Sequence, residues 1–136
     1  MEDFQRQAVY DAEEMCSFWM QGEHLSEKEA DDLITKISEN ANIRKPQCQF
    51  NATDKDGEIF PVAKGMANTI ILPMFAMNEC YICHEMAHVI TYQKKHIDYH
   101  GPVFIQTYLN IIKNIFGNTD QSELIDMFKI YNIQGV

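Results

Sequence analysis

The chain has 136 residues, of which 46% are hydrophobic, and it carries a formal net charge of −9. This length and apolar content predict one ordinary globular domain over residues 1–136 and exclude a disordered chain. The acidic balance and the lack of a Lys/Arg run argue against nucleic acid or an anionic membrane as partner. The N-terminus shows no signal-peptide pattern, and no apolar run is long enough to span a bilayer. We therefore predict a cytoplasmic protein with reduced cysteines.

Two helices are predicted at the start of the chain. The first should run from about Asp3 to Met20, because apolar residues recur along it at helical spacing. Ser26, followed three residues later by Glu29, forms a capping-box pattern that predicts the start of the second helix. The apolar face of that second helix should comprise Ala30, Leu33, Ile34, Ile37 and Ala41.

A small, mainly antiparallel sheet is predicted in the middle of the chain. Residues 47–51 alternate polar and apolar side chains, and further strands are expected near residues 59–60 and over Thr69–Leu72. Residues 54–57 resemble part of a calcium-binding loop, but alanines stand at two positions where the full pattern needs acidic side chains. A hairpin turn is therefore the better prediction for residues 54–57.

Two more helices are predicted after residue 100. Gly101 and Pro102 should start the first of them, because proline is favoured at the first helical position. Gly117 should end it. The last helix should be capped by Asp120, with Glu123 three residues later completing a capping box.

The helix that carries the chemistry should run over residues 79–92, with Asn78 as its N-cap. It contains the pattern HExxH, in which His84 and His88 lie on one face with Cβ atoms about 5–6 Å apart. Both imidazoles can then bind one zinc ion (Zn2+) at about 2.0–2.1 Å. Glu85 points about 100° around the helix, where it can act as general base on a zinc-bound water.

A catalytic zinc site needs a third protein ligand. The candidates that follow the motif are His96, Asp98, His100 and Glu123. His100 is favoured because Pro102 and the buried helix behind it should hold its backbone, whereas the others are less constrained. Asp98 is a candidate for supporting a ligand imidazole as a hydrogen-bond acceptor. The metzincin subclass is excluded, because Thr91 and Lys94 replace its glycine and third histidine.

A second motif overlaps the first. Cys80, Cys83 and His84 match the attachment pattern of a c-type haem, which would leave Glu85 and His88 without roles. Cys80 also lies one turn before His84 on the same face, so a structural zinc site with a cysteine ligand is an alternative. The simplest interpretation is that both cysteines are small core residues.

Three segments of the chain resemble the HExxH-motif metallohydrolase family seen in actinobacteria and their phages. They are residues 5–13, residues 69–73 followed by residues 84–88, and residues 100–104. The last segment is also similar to the HG-containing segment of SprT-like proteases. The resemblance implies a zincin-like α+β fold, with HExxH on a buried helix. It further implies that His84, His88 and His100 bind zinc and that Glu85 is the base.

The sequence therefore predicts a zinc-dependent metallohydrolase that acts on a protein or peptide. Thr69–Leu72 is the candidate edge strand that would hold an extended peptide by β-addition. Tyr99 and Tyr131 are candidate donors to an oxyanion, although packed tyrosines are commoner. The alternative is a non-catalytic binding or structural protein in which zinc pins the helices together.

Overall fold

The computed structural model describes residues 3–19, 22–96 and 99–136. The chain divides into two compact units, one formed by Gly22–Lys95 and the other by Met1–Gln21 with His96–Val136. The predicted single domain over residues 1–136 stays a prediction. Within the described residues the elements are α1 (Arg6–Glu14), α2 (Glu27–Ala41), β1 (Gln47–Phe50), β2 (Lys64–Gly65), β3 (Thr69–Leu72), α3 (Glu79–Gln93), α4 (Pro102–Phe116) and α5 (Asn118–Ile130), with a 3-10 turn at Met74–Ala76 before α3.

In the Gly22–Lys95 unit, α2 begins as the capping-box pattern predicts. The Ser26 side chain accepts a hydrogen bond from the Glu29 amide, and the Glu29 carboxylate accepts one from the Ser26 amide. Asn42 ends the helix in the left-handed conformation, with a φ of 54°, which asparagine adopts more readily than most residues. The helix packs against α3. Its buried apolar side chains are Ala30, Ile34 and Ile37.

The sheet of this unit is mixed, with the strand order β1-β3-β2. β1 runs parallel to β3, from the pair Gln47 and Thr69 to the pair Phe50 and Leu72, whereas β2 is antiparallel to β3. The prediction of a mainly antiparallel sheet is wrong, because the four residue pairs between β1 and β3 are parallel and only the two pairs between β2 and β3 are antiparallel. A parallel pair needs a long connection, and residues 51–68, which include β2, provide it. The prediction that Thr69–Leu72 is an edge strand is also wrong, because β3 is the central strand.

Residues 51–63 form a turn-rich connection in place of the strand predicted at residues 59–60. Asp54 Oδ1 accepts hydrogen bonds from two of the following amides, at 2.8 and 3.0 Å, and Gly57 has a φ of 81°. The turn predicted at residues 54–57 is thereby confirmed. Beside it the chain forms a single antiparallel bridge between Thr53 and Ile59. A continuous strand does not form, since the Asp54 carboxylate takes up amides that a ladder would need.

α3 has the predicted position and burial. It runs over Glu79–Gln93, and the Asn78 side chain accepts a hydrogen bond of 3.0 Å from the Tyr81 amide, which confirms the predicted N-cap. The helix contacts α2, β2 and β3. These neighbours explain why almost every side chain from Cys80 to Thr91 is buried.

In the other unit, α1 is shorter than the predicted helix over residues 3–20. Val9 and Ala12 bury its apolar face as expected. The helix ends at Glu14, and soon after it the amide and hydroxyl of Ser17 both donate to Glu123 Oε1, at 2.7 and 2.8 Å. An amide bound to a carboxylate cannot extend the helical hydrogen-bond ladder. Met20 lies outside the described residues.

α4 has its predicted bounds, with Pro102 at the first position and Gly117, which has a φ of 101°, directly after the helix. α5 begins before Asp120, so the predicted Asp120 cap is wrong. Glu123 is occupied with Ser17 and cannot complete a capping box. α5 packs against α4 and α1. Its buried side chains are Leu124 and Phe128.

The described residues thus combine five helices with a small three-stranded mixed sheet. This confirms the predicted mixture of helices and a small sheet. Residues 84–88 lie in the buried part of α3. The zincin-like character of the fold stays a prediction. Among the described helices, none combines the length and the apolar character that crossing a membrane requires.

Candidate metal centre

His84, Glu85 and His88 lie in the middle of α3 and are 3%, 7% and 7% exposed. The rings of His84 and His88 have centroids 5.3 Å apart, with their planes at 60°. This is the separation expected for side chains one helical turn apart, and it brings both rings within reach of one ion. Tyr92, a further turn along, lies beside the His88 ring at 5.8 Å and nearly parallel to it. The helix therefore supplies two of the candidate ligands in restrained positions.

The third predicted ligand joins these two. His84, His88 and His100 each offer a ring nitrogen, and these nitrogens all lie within 4.8 Å of one another. His100 is buried as well, with 4% of its surface exposed. Buried polar side chains need compensating partners, and a metal ion is a partner that several imidazoles can share. The three histidines can therefore hold a metal ion.

The donor set and its spacing fit zinc. Catalytic zinc sites use three protein ligands, frequently histidines, and keep one position open. Bonds of about 2.0–2.1 Å at tetrahedral angles place ligand nitrogens about 3.3–3.4 Å apart. The ring nitrogens of the three histidines already lie within 4.8 Å of one another. Small ring movements would therefore bring them to the spacing that zinc needs. Imidazoles also bind other transition metals, so zinc as the particular metal stays a prediction.

His100 lies directly before α4, and Pro102 is the first residue of that helix. Its ring contacts two aromatic side chains edge-on: Tyr10 of α1, at a centroid distance of 5.4 Å, and Phe104 of α4, at 4.9 Å. These contacts agree with the expectation that the start of the helix holds this histidine in place. The ring is thus confined on two sides.

A carboxylate that the sequence did not predict as part of the site supports His100. Asp3 Oδ2 lies 2.6 Å from His100 Nδ1, although the two residues are 97 positions apart. Metal-binding histidines commonly donate their second ring N–H to such an acceptor. Asp98, the acceptor suggested by the sequence, lies outside the described residues. No local pattern connects Asp3 with His100, so only the folded chain reveals this pair.

The other candidates for the third ligand are placed differently. His96 is exposed. Glu123 binds Ser17 through its carboxylate, and in the described part of the chain it is not a member of the three-histidine group. Of the candidates that the structure describes, His100 is therefore the one that belongs to the three-histidine group.

Cys80 and Cys83 are buried in α3. Within the described chain, neither belongs to a group of three side chains that could hold a metal. Burial, and to a smaller extent the neighbouring Cys80 and Glu79, raises the pKa of the Cys83 thiol well above its usual value. Such a shift is typical of a cysteine packed in apolar surroundings. These observations favour core packing for Cys83, as the simplest interpretation of the sequence had it.

Gly65 of β2 lies directly against the backbone of Glu85. A Cβ atom at Gly65 would stand 2.0 Å from the Glu85 carbonyl oxygen, so only glycine permits this approach of strand to helix. Glu85 itself is not one of the three grouped ligands in the described residues. The role of Glu85 as a base stays a prediction. No sequence pattern singles out Gly65, because the residue it contacts lies 20 positions along the chain.

Gly65→Ala is expected to destabilise the protein by about 1–3 kcal/mol or more, because the added methyl group would overlap a backbone oxygen. Urea unfolding followed by circular dichroism measures the change in the free energy of unfolding. Gly22→Ala is the control, since nothing lies within 4 Å of a Cβ at that position. Equal stabilities of the two variants would contradict the close approach of β2 to α3.

Tyr99 and Tyr131 are both half-buried. Tyr99 lies directly before His100. It has a φ of 53°, which is unusual for a bulky residue. Such backbone conformations are found preferentially at functional sites. A role for either tyrosine in stabilising an oxyanion stays a prediction.

Comparisons with protein-family models, with curated proteins and with solved structures give no match to this chain. The resemblance to HExxH metallohydrolases therefore remains a prediction based on sequence segments. A fold by itself does not define a function, so the function has to be argued from the side chains of the site.

Proposed function

We propose that this chain is a zinc-dependent metallohydrolase that cleaves peptide bonds. The observation that carries the proposal is the grouping of His84, His88 and His100, with a buried glutamate next to the first of them on the same helix. When bound, zinc lowers the pKa of a coordinated water and polarises a carbonyl group. The three imidazoles would hold the metal and leave one position open for that chemistry.

Glu85 is the general base in this proposal. It follows His84 in α3, so its side chain points about 100° around the helix axis from that ligand. From there its carboxylate accepts a proton from the attacking water and passes it to the leaving amine. The close approach of Gly65 to the Glu85 carbonyl oxygen restrains the backbone from which this side chain extends.

β2 is the strand that we assign to substrate binding. It is an edge strand of the sheet and contacts α3, whereas Thr69–Leu72 is paired on both sides. Its residue Lys64 and the following Met66 are exposed, and Gly65 approaches Glu85. An extended peptide that adds to an edge strand gains main-chain hydrogen bonds with little dependence on sequence. Unfolded protein segments are therefore the expected class of substrate.

A hydrolysis assay tests the proposal. The zinc-loaded protein is incubated with an unfolded substrate such as casein, with and without the chelator 1,10-phenanthroline. We expect cleavage that stops on chelation and returns when zinc is restored, because the activated water depends on the metal. Cleavage that persists after complete metal removal, or no cleavage of unfolded protein by the zinc-loaded chain, would contradict the proposal.

The low exposure of the histidines and of Glu85 favours a second candidate, a structural protein stabilised by zinc. In that case zinc would raise the unfolding free energy, by about 2.7 kcal/mol at roughly 100 times the Kd, without any hydrolysis. Thermal unfolding with and without zinc, combined with the same casein assay, separates the two candidates. Stabilisation accompanied by cleavage identifies the enzyme.

A further inference from the structure

His100 is held by residues that belong to two distant parts of the sequence. Asp3 binds its ring, and the buried Gln5 side chain donates a hydrogen bond of 2.7 Å to its carbonyl oxygen. Gln5 also pairs with the main chain of Gln134, donating to its carbonyl at 3.2 Å and accepting from its amide at 2.5 Å. We call Asp3, Gln5 and Gln134 the His100 brace.

Asp3 selects one tautomer of the imidazole. A carboxylate only accepts hydrogen bonds, so the proton of neutral His100 must lie on Nδ1, the nitrogen that faces Asp3 at 2.6 Å. The other nitrogen, Nε2, then carries the lone pair that can bind a metal. Asp3 Oδ1 is buried and has no hydrogen-bond partner among the described residues, so within them the Asp3 carboxylate is directed at His100 alone.

Gln5 fixes the backbone of the same residue. Its side-chain amide binds both the His100 carbonyl oxygen and the main chain of Gln134. The neighbouring Gly135 lies so close to Pro102 that there is no space for a Cβ atom at Gly135. The peptide that leads into α4 is therefore anchored from two directions. A ligand that is already in place loses less conformational freedom when the metal binds.

We propose that Asp3 and Gln5 are positioning residues that prepare His100 for the metal, so that metal affinity depends on the segment before α1. The inference rests on the three-histidine site of the proposed function. Asp3 acts through the tautomer and orientation of the ring, and Gln5 acts through the backbone. Neither residue contacts the metal in this account.

Zinc affinity tests the inference, measured by competition with a chromogenic chelator. Asp3→Ala is expected to weaken zinc binding by about 10–100-fold, the usual effect of removing such a support. Asp3→Asn should weaken it less, because the amide oxygen still accepts the Nδ1 proton but carries no charge. Gln5→Ala should also weaken binding. The controls are Asp11→Asn and Gln7→Ala, which remove an exposed pair on α1 and should leave affinity unchanged.

A second readout separates positioning from a general loss of structure. Nitrogen-15 NMR of the metal-free protein, at a pH where imidazoles are neutral, reports which ring nitrogen carries the proton. We expect Nδ1–H at His100 in the unmodified chain and in Asp3→Asn, and a shift toward Nε2–H in Asp3→Ala. If Asp3 only stabilised the fold, its replacement would not change which ring nitrogen of His100 carries the proton.

Two results would overturn the inference in distinguishable ways. If the unmodified chain binds zinc and Asp3→Ala binds it equally tightly, the brace has no positioning role, while the proposed metal site stands. If the unmodified chain binds no zinc, both the inference and the proposed function fail.

Discussion

Glu85→Gln is expected to retain zinc and the fold and to lower the rate of casein hydrolysis by about 10²–10⁴-fold, the range of general base catalysis. Glutamine has nearly the same shape as glutamate, so the fold around this position should survive, including the close backbone contact with Gly65. The glutamine side chain cannot accept a proton from the attacking water at neutral pH. The loss should therefore appear in kcat, with little change in zinc content.

The control for this variant is Glu79→Gln, which removes a carboxylate from the first turn of the same helix. It tests whether loss of negative charge on α3 by itself lowers activity, and we expect nearly full hydrolysis. If Glu85→Gln loses its zinc, Glu85 is a ligand or a support of the metal. If it keeps its zinc and its full activity, Glu85 is not the base.

His100→Ala is expected to weaken zinc binding by more than about 100-fold, beyond the effect of losing a residue that only supports a ligand. The variant would leave two protein ligands where a catalytic zinc site uses three. His96→Ala should have little effect, because His96 is exposed. Glu123→Ala should lower stability through Ser17 but leave zinc affinity unchanged. Zinc titrations of the three variants, with Asp98→Ala beside them, provide the comparison.

The opposite ranking of the zinc affinities of these variants would assign the site to another class of metallohydrolase. Unchanged affinity in His100→Ala, together with a large loss in Glu123→Ala, would make a glutamate the third ligand. Glu123 binds Ser17, whereas His100 belongs to the three-histidine group, so the two outcomes do not overlap.

The parts of the fold that the sequence predicted well depend on local signals. Asn78 caps α3, Ser26 and Glu29 form the capping box, and Pro102 starts α4, because each of these side chains acts on the backbone within one turn. The placement of His84, Glu85 and His88 on one buried helix follows from the same short-range regularity.

The parts that the sequence did not predict depend on partners far along the chain. The parallel pairing of β1 with β3 is set by a crossover whose path no residue pattern encodes. α1 ends early near the point where Ser17 meets Glu123, 106 positions away. Asp3 supports His100 across a comparable separation. Propensity and periodicity describe neighbours within a turn or a strand and carry no information about these contacts.

The central claim is that His84, His88 and His100 bind one zinc ion with an open position beside Glu85. X-ray absorption at the zinc edge of the zinc-loaded protein tests it most directly, because it reports the type and number of ligand atoms. We predict one zinc per chain, with three imidazole nitrogens at about 2.0–2.1 Å and at least one further oxygen ligand. A shell containing sulfur at about 2.3 Å, which Cys80 or Cys83 would supply, or a protein that retains no zinc, would contradict the claim.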